Sequence, residues 1–92
     1  MRVSVYYHAQ LRHRTGRPRE EFFLEPGTKV GDLIKIMAVK YPSASSFLLN
    51  EEGEIRRSLL VFVNEVQLPL DAALSDSSEV VFLTPISGGS PI

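Results

Sequence analysis

The sequence predicts an α+β fold, a mixed sheet of four to five strands packed on one main helix. Three observations carry this. Several short segments alternate or run apolar as strands do, a single segment carries an apolar stripe at helical spacing, and that segment falls between the second and third strands. One amphipathic helix crossing over a sheet covers one of its faces and leaves the other to be explained.

Val3, Val5 and Tyr7 alternate with Arg2, Ser4, Tyr6 and His8, a period of two that marks the first strand. Residues 12–19 hold four arginines with His13, Gly16 and Pro18, break any periodicity, and read as the loop of a hairpin. Glu20-Glu21-Phe22-Phe23-Leu24-Glu25 returns as the second strand and Pro26-Gly27 ends it. Thr28 then offers a side-chain oxygen to cap a helix. Val30, Leu33, Ile34, Met37, Ala38 and Tyr41 fall at i, i+3, i+4, i+7, i+8 and i+11, with Asp32 in the first turn, Lys40 in the last, and Pro42 as the stop. Residues 43–57 are polar and mixed, with Phe47-Leu48-Leu49 as an apolar patch, and wrap the helix end without a long element. Leu59-Leu60-Val61-Phe62-Val63 is a third strand, apolar on both faces, hence interior to the sheet or covered outside. Asn64-Glu65 turns into a short Val66-Gln67-Leu68 strand, residues 70–74 form one helical turn, Asp76-Ser77-Ser78 is a turn, and residues 79–84 are the last strand. This order is a β-grasp layout, with residues 1–87 as the domain and residues 88–92 as a tail.

The chain is 92 residues with 43% hydrophobic and 23% charged residues, which suits one small globular domain. Such a chain buries roughly 60 to 65% of its unfolded surface, little for both a deep catalytic cleft and a stable interior. A carrier or binding module is therefore favoured over a self-sufficient enzyme. Net charge is −1, no global reason for nucleic acid or an anionic membrane as partner. The absence of cysteine excludes disulfides, thiolate metal sites and cysteine nucleophiles. Met1 is followed by Arg2 and a strand pattern rather than an apolar signal core, and no apolar run approaches the ~20 residues that span a bilayer, so a cytoplasmic location is expected.

The densest functional signal is Gly88-Gly89. Two glycines in series form a narrow, pliable thread able to enter another protein's active site, and their position beyond the last strand points to a carboxylate that is itself the reagent. Because Ser90-Pro91-Ile92 comes next, that chemistry needs a cut first. Taken alone the pair fits a merely flexible end; the order of elements before it changes the weight.

Ala9-Gln10-Leu11-Arg12 with Thr15-Gly16, the helix start Gly27-Thr28-Lys29-Val30-Gly31-Asp32-Leu33, the helix end Lys40-Tyr41-Pro42, Val63-Asn64, and Glu79-Val80-Val81-Phe82-Leu83-Thr84-Pro85-Ile86-Ser87-Gly88-Gly89 recur in that order. Together they resemble the MoaD/ThiS ubiquitin-like sulfur carriers over residues 2–89, nearer to the small subunit of molybdopterin synthase than to the thiamine-pathway carrier. The resemblance implies a carrier, not a catalyst. Gly89 would be adenylated by an E1-like enzyme using ATP and magnesium, converted to a thiocarboxylate, and made to give its sulfur to a synthase in cofactor, amino-acid or thio-metabolite biosynthesis such as that of molybdopterin or cysteine. Gly88 would be the slim penultimate link, and Pro85, Ile86 and Ser87 would carry the tail away from the sheet. Most such carriers end at the second glycine. The bond between Gly89 and Ser90 is therefore read as a processing site, with Ser90-Pro91-Ile92 removed by a metallopeptidase. No cofactor would be bound by this chain itself. A non-covalent β-grasp interaction module and a ubiquitin-like protein modifier are the alternatives.

Other candidates are weaker. His8 and His13 have no cysteine or acidic cluster beside them, so no metal site is expected; by alternation His8 shares a face with Ser4 and Tyr6, and the family resemblance places it in the patch that meets partners. The arginines at 12, 14, 17 and 19 lack interleaved aromatics and are followed by Glu20, Glu21 and Glu25, so a solvated loop is expected over RNA binding, with steering of an acidic partner left open. If Val80 and Phe82 pack on the helix, Val81 and Leu83 lie on the outer sheet face as an apolar interface, continued by Pro85 and Ile86. The serines sit in no nucleophile turn, and Gly27 and Gly31 lack the spacing of a phosphate loop.

Overall fold

The computed structural model describes residues 1–83. A five-stranded mixed sheet is built from β1 (Arg2–Tyr6), β2 (Arg19–Phe23), β3 (Leu60–Val63), β4 (Val66–Gln67) and β5 (Ser78–Leu83), in the spatial order β2-β1-β5-β3-β4. The helices are α1 (Ala9–Thr15), α2 (Val30–Lys40) and α3 (Ser45–Leu48), the last preceded by a 3₁₀ turn at Pro42–Ala44. This is the expected β-grasp architecture. β1 and β2 pair antiparallel, β1 and β5 parallel, and β3 pairs antiparallel with both β5 and β4.

Alternation decides which side chains meet the helix. Val3, Val5, Phe22, Val61, Val63, Val80 and Phe82 are buried on the inner face, against the predicted stripe of Val30, Leu33, Ile34, Met37 and Ala38. The first two amides of α2 would lack intrahelical partners, but Val30 N–H donates to Ala72 O at 2.9 Å and Gly31 N–H to Leu70 O at 2.9 Å. A Cβ on residue 31 would sit 3.3 Å from that same Leu70 oxygen, which accounts for glycine there.

Five local expectations are corrected. The first strand stops at Tyr6 rather than reaching His8, and the connection to β2 is not a plain loop but contains α1. α1 forms because Ala-Gln-Leu-Arg are good helix formers, Leu11 buries completely, and Gly16 closes the end in the left-handed region (φ 79°) with its N–H on Arg12 O at 3.0 Å. Thr28 does not cap α2. Its hydroxyl donates to Glu25 O, while Lys29 is the capping residue, its N–H held by Asp32 Oδ2 at 3.0 Å. Residues 70–74 are a turn and a bridge of Ala73 to Lys29 instead of a helical turn, because their carbonyls are committed to the start of α2. The short strand before Pro69 is Val66–Gln67, reached through Asn64 and Glu65 at φ 50° and 71°, the paired left-handed geometry of a tight hairpin.

One carboxylate fastens the α1 end of the molecule. Glu20 is only 6% exposed, on the inner face of edge strand β2. Tyr7 donates its hydroxyl to Glu20 Oε1 at 2.9 Å, Tyr41 donates to the same oxygen at 2.6 Å, and Lys40 Nζ bonds to Oε2. Arg17 stands 3.6 Å away. Burial alone would raise the Glu20 pKa, but the hydrogen bonds from Lys40, Tyr41 and Tyr7 outweigh it and hold the carboxyl below the ordinary glutamate range. Burial, then the bond to Glu20, pushes both tyrosine hydroxyls upward, and the bond to Glu20 raises Lys40. The sheet edge, the end of β1 and the end of α2 thus share one charge.

Glu20→Gln is expected to cost about 3 kcal/mol near neutral pH, measured as a shift of the urea midpoint. A depressed folded pKa contributes stability above the unfolded value of about 4.3 and loses it as pH falls through the lower folded value. The gap between wild type and variant should therefore narrow under acid, and a gap independent of pH would contradict the assignment. Phe82→Ala should cost about 4 kcal/mol. Leu83→Asp, on the open face, should cost less than about 1 kcal/mol in the same assay.

Candidate functional site

The outer face of the sheet does not follow the alternation that a solvated face requires. β5 lies in the middle, so its outward residues have neighbours on both sides: Val81 is flanked by Tyr6 of β1 and Phe62 of β3, and Leu83 pairs with Leu60. Leu83 and Leu60 are 42% and 41% exposed, and Val81, Tyr6 and Phe62 are half-buried. The β3 strand is interior to the sheet, as its two apolar faces predict, yet its outer face is open. An apolar area of this kind, with a polar rim, is a candidate interaction surface.

The area forms a shallow groove of about 510 Å³ between Tyr6, Phe62, Val81 and Leu83, with Asn64, Glu65 and Glu79 at one end. That end is held by defined bonds. Asn64 Oδ1 accepts the Glu79 N–H at 2.9 Å, fixing the β3–β4 turn against β5, and the Tyr6 hydroxyl approaches Glu79 Oε2 at 3.4 Å. On the other side of the ring, the Arg19 guanidinium lies 5.7 Å from the Tyr6 centroid. The groove therefore has an apolar floor with one acidic rim and one basic rim. The apolar floor is suited to binding another apolar surface.

Of the residues expected from sequence, Val81 and Leu83 are brought together here. His8 is not part of the groove. It precedes α1 in extended conformation (φ −128°, ψ 154°), exposed, with its carbonyl accepting the N–H groups of Leu11 at 3.1 Å and Arg12 at 3.3 Å. It leaves the sheet at the end where Leu83 continues into residue 84, because β1 and β5 are parallel with Tyr6 opposite Val81. Pro85, Ile86, Gly88, Gly89 and Ser90 lie outside the described residues. Tyr6 and Phe62 are site residues that sequence alone does not assign. A signal is present for Phe62, whose parity sets it opposite the buried Val61 and Val63. Among the described residues no group of three or more His, Asp or Glu side chains could hold a metal ion, and no helix is long and apolar enough to cross a membrane.

Comparison with known proteins covers nearly the whole chain. The molybdopterin synthase sulfur carrier subunit of Mycobacterium tuberculosis is 30% identical over 90 residues, 97% of this chain and 99% of that protein. The crystal structure of SAMP1 from Haloferax volcanii superposes with a TM-score of 0.87 at 21% identity, covering 97% of this chain and all of that one (100%). The solution structure of the small archaeal modifier protein 1 from Methanosarcina acetivorans gives a TM-score of 0.79 at 28% identity, with 96% of each chain covered. The ThiS family profile matches residues 5–89, a span that takes in the end of β1, the other four strands, α2 and the diglycine, and the chain belongs to that family.

Proposed function

We propose that this protein is a sulfur carrier whose reagent is the carboxyl group of Gly89. The observation that supports it best is that the family match runs as far as Gly89 and stops there, while a relative matched over nearly its whole length is named a sulfur carrier subunit. Hydrolysis of the Gly89 to Ser90 bond by a metallopeptidase frees the carboxylate. An E1-like enzyme, with ATP and magnesium, joins that carboxylate to the α-phosphorus and releases pyrophosphate. The acyl-adenylate converts a poor electrophile into a good one, so a persulfide sulfur attacks the carbonyl and AMP leaves. A thiol then cleaves the sulfur–sulfur bond and leaves the thiocarboxylate on Gly89, ready for a sulfur-accepting synthase.

The domain's share of this work is recognition. Its outer face presents Tyr6, Phe62, Val81 and Leu83 on and beside the strand that precedes residues 84–89, so a partner that covers the groove meets the strand from which the chain continues to Gly89. No side chain of this protein needs to act as acid, base or nucleophile. A second reading, protein modification through an isopeptide at Gly89, is favoured by the likeness to the Methanosarcina protein, which is named a modifier. It shares the adenylation step and differs only in the acceptor.

Intact mass of the protein recovered from its own cells, alkylated at any thiocarboxylate, is expected to show loss of Ser-Pro-Ile and exchange of one oxygen for sulfur. Lysine adducts would instead establish the modifier, and an unprocessed chain would leave a non-covalent binding module. Deleting residues 90–92 should bypass the peptidase, and Gly89→Ala should abolish sulfur loading with an unchanged melting temperature. Leu83→Asp should weaken binding to the adenylating enzyme about tenfold in titration calorimetry, near 1.4 kcal/mol.

A further inference from the structure

Residues 12–19 hold four of the ten lysines and arginines and no acidic residue, so the other six basic residues share the chain with all eleven carboxylates. A net charge of −1 thus conceals an uneven distribution of charge along the chain. The fold gathers the positive charge in α1 and the turn into β2, where Arg12, His13 and Arg17 line an open groove of about 460 Å³ floored by Ala9, Gly16 and Pro18. Arg14 faces elsewhere, its guanidinium 5.3 Å from the Phe47 ring centroid, and Arg19 pairs with Glu21 at 3.2 Å. Among the described residues Arg12 makes no ion pair, and Arg17 meets only Glu20, a carboxylate that Lys40 already bonds. The groove therefore carries uncompensated positive charge.

Its place in the fold gives that charge a use. The chain leaves β1 at Tyr6 and enters α1 through His8, at the end of the sheet where Leu83 continues into residue 84. Arg19, two residues after Arg17, holds its guanidinium 5.7 Å from the centroid of the Tyr6 ring, which lines the apolar groove. A partner lying over both would meet apolar contacts at β5 and cations at α1.

We propose that the groove of Arg12, His13 and Arg17 docks an acidic segment of a protein partner, the one that acts on the residues after Leu83. Only that last clause rests on the sulfur-carrier reading. Guanidinium groups pair bidentately with carboxylates, and such rim charges speed and orient association more than they tighten it. A nucleic acid fits less well. α1 is about 10 Å long, the groove has no Phe, Tyr or Trp side chain on which a base could stack, and outside residues 12–19 the chain holds eleven carboxylates against six basic residues.

The test titrates the ¹⁵N-labelled full chain with hexaglutamate at low salt and follows amide shifts. Shifts are expected at Arg12, His13, Gly16 and Arg17, suppressed at high salt, with Arg12→Glu weakening binding about tenfold at an unchanged urea midpoint. Because Arg12 is exposed and makes no ion pair among the described residues, that variant keeps the fold. Shifts centred on Arg56 and Arg57, no shifts at α1, or an unaffected Arg12→Glu variant would overturn the proposal. So would tighter binding of a uridylate hexamer, which would mark a nucleic-acid surface, or equal shifts from inorganic phosphate, which would mark a free-anion site. Gly89→Ala should bind hexaglutamate as wild type does, so this result and the fate of the carrier reading are read separately.

Discussion

The position of β5 in the middle of the sheet is the constraint on which the rest of the molecule depends. It pairs parallel with β1 and antiparallel with β3, so both of its edges are satisfied and each of its faces has neighbours on two sides. Period-two alternation then sends Ser78, Val80 and Phe82 inward and Val81 and Leu83 outward. A slip of one residue would exchange the two sets, losing the core and the groove together. Core and candidate binding surface are therefore two faces of one strand.

The parallel pairing has a second consequence. It brings the end of β1 and the end of β5 to the same side, so the segments that leave these two strands start out as neighbours. β1 leads into α1 with its arginines, and β5 leads into residues 84–92, which hold the diglycine. Glu20 keeps this corner in order. Two phenols, one ammonium and one guanidinium, from the residues after β1, the end of α2 and the turn before β2, converge on a single carboxylate. It stays ionised because its hydrogen bonds outweigh the cost of burial. An inward-pointing charge on edge strand β2 also discourages pairing of that edge with another sheet.

Small size imposes a division of labour. A domain of this length buries one core and has little left for a deep cleft, and the grooves on its described surface are open. In the proposed function the chemistry is carried by a main-chain carboxyl beyond the sheet, and the folded part supplies recognition. The two surfaces differ in kind. As proposed, the groove around Val81 and Leu83 would gain by excluding water, whereas the groove of Arg12 and Arg17 would act through charge and be sensitive to salt.

The amino-acid sequence by itself determined the elements whose signal is local and repeated. The stripe of α2 runs over three turns, the strands alternate, and Pro42 and Asn64-Glu65 mark their boundaries, so the β-grasp order and the buried set were legible without coordinates. α1 was not, because seven residues with one buried side chain, Leu11, give no periodicity to read, and the arginines around it have the composition of a loop. The capping of α2 escapes sequence for a related reason: Thr28 is a good cap by type, but the carbonyl of Glu25 claims its hydroxyl and Asp32 takes the role. Tertiary structure alone decided every feature that depends on distant residues meeting. Tyr7 and Tyr41 lie 13 and 21 residues from Glu20, and Tyr6 lies 73 from its neighbour Glu79, so no window of sequence holds the cluster or the groove. Alternation told which face Val81 would take, but only the pairing of three strands could say that Tyr6 and Phe62 would stand on either side of it.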